Sequence, residues 1–401
     1  MSSSVYDPKR HEALSGDVWK PEVVRNAIAR IVADFLDSRE PDRSWRSHPL
    51  DVATGEPKWA AYFGAAGALV SLRILEREGY DVPKRLGGWR RIHAAYLESP
   101  DVGYQTGLQL GEIGILAPAL LDEPGDVERA ARLSDCMART IGHPAREITS
   151  GETGMIHAAL TLYRATGDPR WADWYRRGAH SLWDSWHPHG DEGQWHWTSD
   201  IFGFKRHYFG ANHGVAGNAQ ALVRGADLLP AEWIPELLER TVRTLVQGAV
   251  RDGDDLNWPV SNDDSGKRRL IQWCHGAPGV VAALAGVPRA DGDVSVELDA
   301  LLRAGGELIW KAGPLVKGSS LCHGTAGNGF ALLELFRRTR DERWLERARR
   351  FAMHAIAQCD AARSKYGQGR YTLWTGDGGL AVYLHQCLEP LRTGFPGLEL
   401  L

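Results

Sequence analysis

Apolar residues recur along the chain at helical spacings. Val24, Ile28, Ile31 and Phe35 stand four, three and four places apart, and Leu345, Ala348, Ala352 and Ala355 three, four and three. Such spacings put side chains on one face of a helix, so both stretches predict amphipathic helices with a single buried stripe. Other runs are apolar all round, such as Val280-Val281-Ala282-Ala283-Leu284 and Phe330-Ala331-Leu332-Leu333. Those predict helices buried on every side. Period-two alternation, the mark of a half-buried strand, is rare.

Each apolar run follows a short Gly-x-x-Gly pattern. The pairs are Gly64 and Gly67, Gly111 and Gly114, Gly151 and Gly154, Gly214 and Gly217, Gly276 and Gly279, Gly324 and Gly327, and Gly376 and Gly379. The second glycines lie 47, 40, 63, 62, 48 and 52 residues apart, a spacing that argues for a repeat architecture. Each unit reads as a charged outer helix, a glycine turn and an apolar inner helix. Glycine suits the turn because it permits positive φ and close backbone approach. Seven pairs closed into a ring would bury every inner helix and gather the turns at one end. The expected fold is therefore all-α, an α/α toroid, with residues 1–401 as a single domain. Periodicity alone leaves an open helical solenoid as the alternative.

Charge and composition narrow the function. Lys and Arg number 47 against 51 Asp and Glu, a formal net charge of −4. That balance gives no basic field for nucleic acid or an anionic membrane. No stretch of 18 consecutive apolar residues occurs, and the segment from Met1 to Leu14 has no apolar run. The expectation is a soluble, cytoplasmic protein without a membrane span. Five cysteines in 401 residues (Cys136, Cys274, Cys322, Cys359 and Cys387) are too sparse for a disulfide framework and point to metal binding or catalysis.

Three consecutive turns place His directly before the glycine: Asn212-His213-Gly214, Cys274-His275-Gly276 and Cys322-His323-Gly324. If the turns meet at one end of a ring, Cys274, Cys322 and His323 converge. Two thiolates and one imidazole suit tetrahedral zinc, and three protein ligands leave a catalytic position open. That position can stabilise a thiolate nucleophile or activate water, and spacing does not choose between them. His213 has Asn212 where its counterparts have Cys, so it reads as a proton donor or as a helix-capping side chain. His275 follows a ligand and is either a supporting or a structural residue. Lys317, five residues before Cys322, suits an anionic group entering the site. Trp183 to Phe209, dense in Trp, His and Phe and including Phe202, reads as an ordered loop over the ring mouth or a peptide-binding wall.

These motifs carry a resemblance. The sequence resembles the lanthionine synthetase C family, closest to its stand-alone LanC-like branch. The strongest stretches are Tyr208–Gly217, Gln272–Gly279 and Leu321–Asn328, with Phe395-Pro396-Gly397-Leu398-Glu399-Leu400 at the end. The resemblance implies a toroid of seven inner and seven outer helices with one zinc on Cys274, Cys322 and His323. It matches His213 to the family's proton-transfer histidine, and Glu147 to an acidic residue four places before the third glycine turn. It matches Lys317 to a lysine near glutathione and phosphate-bearing substrates. Tyr366 to Arg370 offers no counterpart of the Asp with which the branch helps to hold glutathione.

The implied activity is zinc-dependent addition of a Cys or small-molecule thiol to dehydroalanine or dehydrobutyrine, as in lanthipeptide cyclisation. Its partners would be a dehydrated peptide or protein, glutathione or another small thiol, and a partner dehydratase. The alternatives are glutathione addition to dehydrated proteins and a non-catalytic zinc or thiol-binding scaffold. A toroidal glycosidase needs paired carboxylates, and no turn offers an obvious pair.

Overall fold

The computed structural model describes residues 5–42, 44–84, 86–190, 193–201, 203–262, 269–289 and 292–399. Phe202 and Leu400 lie outside the described residues. Among the described residues, fourteen α-helices alternate between an outer and an inner layer. The outer helices are α1 (Pro21–Asp37), α3 (Trp89–Glu98), α5 (Val127–Thr140), α7 (Pro169–Asp184), α9 (Trp233–Gly248), α11 (Asp293–Ala312) and α13 (Glu342–Tyr366). The inner helices are α2 (Ala65–Arg77), α4 (Ile113–Asp122), α6 (Glu152–Thr166), α8 (Val215–Arg224), α10 (Ala277–Leu284), α12 (Thr325–Thr339) and α14 (Asp377–Leu388). Each inner helix packs on the next, and α14 packs on α2, so the inner ring is closed. The fold is an α/α toroid, not an open solenoid.

Sequence patterning explains which layer a helix joins. Every residue of α10 is buried, as its apolar composition requires. On α1 only Val24, Ala27, Ile28, Ile31, Val32 and Phe35 are buried, the stripe expected from their spacing. The two layers also begin differently. Outer helices α5, α7 and α13 are capped by Asp126, Asp168 and Asp341, whose carboxylates accept from backbone N–H groups of the first turn. Inner helices have no such side-chain cap. In α2, α4, α8, α12 and α14 the first N–H is satisfied by the carbonyl seven residues upstream, as in Ala65 N to Lys58 O (2.8 Å), Val215 N to Tyr208 O (3.0 Å) and Thr325 N to Gly318 O (2.8 Å), whereas Ala277 N of α10 donates to Asn257 Oδ1 (2.8 Å). The turn folds back over the helix start.

That fold-back is why the glycines are needed. A Cβ on any of Gly67, Gly114, Gly154, Gly217, Gly279, Gly327 or Gly379 would lie under 3.0 Å from the carbonyl oxygen six residues before it. Positive φ is a lesser reason than the sequence suggests. Of the residues that cap the inner helices only Gly276 adopts it, at 82°; the others are extended or, for Glu112 before α4, helical.

Neighbouring turns are tied to each other through the residue two places before the glycine. Tyr62 N donates to Gln109 O (2.8 Å), Gln109 N to Thr149 O (3.0 Å) and Cys322 N to Trp374 O (2.9 Å). Three short hairpins decorate the ring: β1 (His187–His189) with β2 (Gln194–His196), β3 (Ser199–Ile201) with β4 (Phe204–Arg206), and β5 (Val250–Asp252) with β6 (Asp255–Asn257). No helix among the described residues is long and apolar enough to cross a membrane.

Candidate metal centre and its proton-transfer pair

The glycine turns enclose a cavity of about 600 Å³ at one end of the ring. Glu147, His213, Cys274, Lys317, Cys322 and His323, singled out from the sequence, all line it, and so does His275. Aligned on their glycines, five of the seven turns contribute the same two places. Tyr62 and Phe63, Thr149 and Ser150, Asn212 and His213, Cys274 and His275, and Cys322 and His323 all face the cavity.

The ligand atoms of Cys274, Cys322 and His323 lie within 4.8 Å of one another, the only such group of three among the described residues. Cys322 Sγ is 3.7 Å from His323 Nε2. Ligands about 2.3 and 2.1 Å from a tetrahedral zinc would stand roughly 3.6 Å apart, so the donor set fits that ion in chemistry and spacing. Burial pushes the Cys274 thiol up, but the hydrogen bond with Cys322 and the charges of His275 and His323 overcome it and hold it well below the ordinary value. Burial pushes the Cys322 thiol up, and the neighbouring Cys274 sulfur adds to that. Two thiolates side by side need positive charge between them.

His213 Nδ1 stands 2.9 Å from Glu147 Oε2. The Glu147 carboxylate is buried and accepts from the backbone N–H groups of Thr149 (2.7 Å) and Ser150 (2.6 Å). Burial alone would raise the Glu147 carboxyl, but the bonds from His213, Ser150 and Thr149 bring it below its usual range. Burial pulls the His213 imidazole down, but the bond and charge of Glu147 win and raise it. On its other side His213 Nε2 lies 3.0 Å from Asn212 Nδ2, which also donates to Thr149 Oγ1 (3.0 Å). His275 stacks on His213 with ring centroids 5.4 Å apart. Lys317 is exposed at the cavity rim.

Cys136, Cys359 and Cys387 are buried in α5, α13 and α14, away from the cavity, and burial drives the thiols of Cys136 and Cys387 up to about 12. The aromatic segment does not form a wall over the mouth. Trp186 stacks on Trp197 (4.6 Å), Trp183 on Trp233 (4.3 Å), and the Arg240 guanidinium sits over Trp195 (3.5 Å), so these rings pack on one another and on α9. Among the described residues of that segment, only Ile201 lines the cavity. Tyr62, Gln272 and Arg10 are among the lining residues that escaped the sequence reading. Tyr62 could have been found by extending the turn alignment to the first repeat. Gln272 occupies the same place before its glycine, four residues back, that Glu147 occupies before Gly151. Arg10 arrives from outside the repeats, on an N-terminal segment bonded to the loop before α12 (Val316 N to Arg10 O, 3.1 Å).

Comparison with known proteins agrees with this architecture. The structure of nisin cyclase superposes with a TM-score of 0.61 over 95% of this chain and 98% of that one, at 15% identity. "Glutathione S-transferase LANCL1" of Danio rerio is 30% identical over 203 residues, 49% of this chain and 47% of that protein. "LanC-like protein GCL1" of Arabidopsis thaliana is 31% identical over 197 residues, 48% of this chain and 43% of that protein. The matched regions span less than half the length of these curated relatives. A family model described as "Lanthionine synthetase C-like protein" matches residues 125–400, more than half of the sequence and all of its Cys and His turns, and on that match the chain belongs to the lanthionine synthetase C-like family.

Proposed function

We propose that this protein is a zinc-dependent enzyme that forms a thioether by adding a thiol to dehydroalanine or dehydrobutyrine in a peptide or protein. The observation that carries the reading is one cavity holding both a three-ligand Cys274, Cys322 and His323 set and a carboxylate-braced histidine. Zinc bound there would supply an open Lewis-acid position that favours the thiolate form of an incoming thiol.

The chain's own residues account for the remaining steps. When a thiolate adds to the β-carbon, negative charge develops on the substrate carbonyl and the α-carbon must take a proton. His213 is the acid for that step, because Glu147 keeps its imidazole protonated nearer neutrality and fixes the ring through Nδ1. Its Nε2 then carries the transferable proton, and the Asn212 amide, whose Oδ1 has no hydrogen-bond partner, can turn to accept from it. Lys317 at the rim offers its ammonium to a substrate carboxylate or phosphate.

The same site accepts a second thiol source, and the name of the Danio rerio relative favours glutathione added to a dehydrated protein. Purified protein mixed with a dehydrated Cys-containing peptide, with and without glutathione, separates the two by product mass. Unchanged mass in both arms, with stoichiometric zinc present, overturns the enzymatic reading in favour of a zinc scaffold. Elemental analysis should give one zinc per chain, largely lost in Cys274→Ala and in Cys322→Ala, and retained when Cys136, Cys359 and Cys387 are all replaced by Ser.

A further inference from the structure

A hydrogen bond ends on each sulfur of the ligand set. Gln272 Nε2 donates to Cys274 Sγ at 2.9 Å, and the Tyr62 hydroxyl donates to Cys322 Sγ at 3.2 Å. The direction of the Gln272 amide is fixed from behind. Arg10 Nη2 stands 3.3 Å from Gln272 Oε1, and a guanidinium can only donate, so the carbonyl end must face Arg10 and the NH₂ end must face the sulfur. Tyr62 is held by near-parallel stacking on Trp374 (15° between planes, centroids 6.4 Å apart), and its hydroxyl also lies 3.5 Å from His323 Nδ1.

An N–H or O–H pointed at a thiolate does two things. It fixes the direction of the sulfur lone pairs, and it draws electron density out of the sulfur. Two unrelieved thiolates would already neutralise a dication and weaken its hold on a third. We propose that Gln272, oriented by Arg10, and Tyr62 are positioning residues that donate one hydrogen bond to each ligand thiolate and lower its donor strength, so that the centre stays receptive to an incoming thiol. The inference rests on the reading of Cys274, Cys322 and His323 as a zinc site. It also gives a reason for the repeat places involved. Tyr62 stands where Cys274 and Cys322 stand in their own turns, and Gln272 stands where Glu147 stands, so each bracing residue is a repeat counterpart of a residue in the site.

Cobalt(II) in place of zinc reports this directly, because the sulfur-to-cobalt charge-transfer band moves with thiolate donor strength. The full chain would be loaded with cobalt and titrated against a competing chelator, in the wild type and in Tyr62→Phe, Gln272→Leu and Gln272→Glu. Removing a donor should move the band to longer wavelength, because the thiolate becomes the stronger donor, while the lost orientation of the sulfur should outweigh that gain and weaken cobalt binding by about 10–100-fold. Gln272→Glu keeps the size of the side chain and its bond to Arg10 but offers the sulfur only an acceptor, so it should be at least as damaging as Gln272→Leu. Wild-type behaviour of Gln272→Glu would reduce Gln272 to a packing role and overturn its part in the inference. Tyr62→Phe retains the stacked ring, so its effect is not confounded by collapse of the turn. A wild type without a thiolate band, or a band that survives Cys274→Ala, would remove the metal site itself. A normal band, lost in Cys274→Ala but unmoved in Tyr62→Phe and both Gln272 variants, would overturn the inference and leave the site standing.

Discussion

His213 and Glu147 show how two buried side chains with opposite tendencies settle each other. Alone, burial would keep the imidazole neutral and the carboxyl protonated; paired at 2.9 Å, each takes its charged form more readily. The sign fixes a pH dependence. If protonated His213 is the acid, turnover falls as pH rises through its raised pKa, so the basic limb should lie above the ordinary imidazole value of 6.5. Glu147→Gln removes the anion that raises it, and the limb should move to lower pH with zinc content unchanged; an unmoved limb would detach Glu147 from His213. His213→Asn should keep zinc and lose about 10²–10⁴-fold in rate, or scramble the α-carbon configuration, which chiral analysis of the product would reveal. Zinc loss would make His213 a ligand instead. The site was legible at this scale wherever a residue type announces its chemistry, as Cys274, Cys322 and His323 do. Tyr62 and Gln272 went unread because neither type is a zinc ligand or an obvious acid. Arg10 carried no signal, since it belongs to no repeat.

The glycine turn is the element on which the site depends. Its backbone satisfies the first N–H groups of the inner helix and leaves the two preceding side chains facing the cavity. The sequence made the turn's existence and position plain, because Gly-x-x-Gly recurs seven times. It could not say why glycine is needed, since close approach and positive φ select the same residue. Gly327 separates the reasons. It sits inside α12, and a Cβ there would collide with Leu321 O and approach the Trp273 side chain. Gly327→Ala should cost about 1–3 kcal/mol or more in denaturant unfolding and lower zinc affinity, because Leu321 precedes Cys322. Gly286→Ala, where a methyl would meet nothing within 4 Å, should leave stability within about 0.5 kcal/mol. The segment from Trp183 to Phe209 left two readings open for a related reason. Aromatic density is the same whether rings pack on each other or line a groove, and only the hairpin register, with His187 opposite His196, decides it.

At the scale of the molecule, closure joins parts distant in sequence. The helix α1 packs chiefly against α14, with α13 beside it. The C-terminal residues close the ring further. Phe395 is 3% exposed and stacks on Trp273 (4.9 Å) and Trp374 (5.8 Å), the residues before Cys274 and two before Gly376. Phe395→Ala should therefore cost about 3–5 kcal/mol, read by chemical denaturation. A ring without free ends should also melt as one unit. A single calorimetric transition, with calorimetric and van't Hoff enthalpies equal, is the expected outcome, and two resolved transitions would divide the chain into separate domains.

The partnership of α1 with α14 also sets a clock. While the chain is being made, Phe35 and the rest of the α1 stripe leave the ribosome long before Asp377 exists. At about 5–20 residues per second that delay is on the order of tens of seconds. Throughout it, this hydrophobic stripe lacks its chief native partner. Nascent chains of this toroid should be clients of whatever holds exposed apolar helices in solution, and chains halted before Asp377 should aggregate through α1 even with every proposed zinc ligand already synthesised.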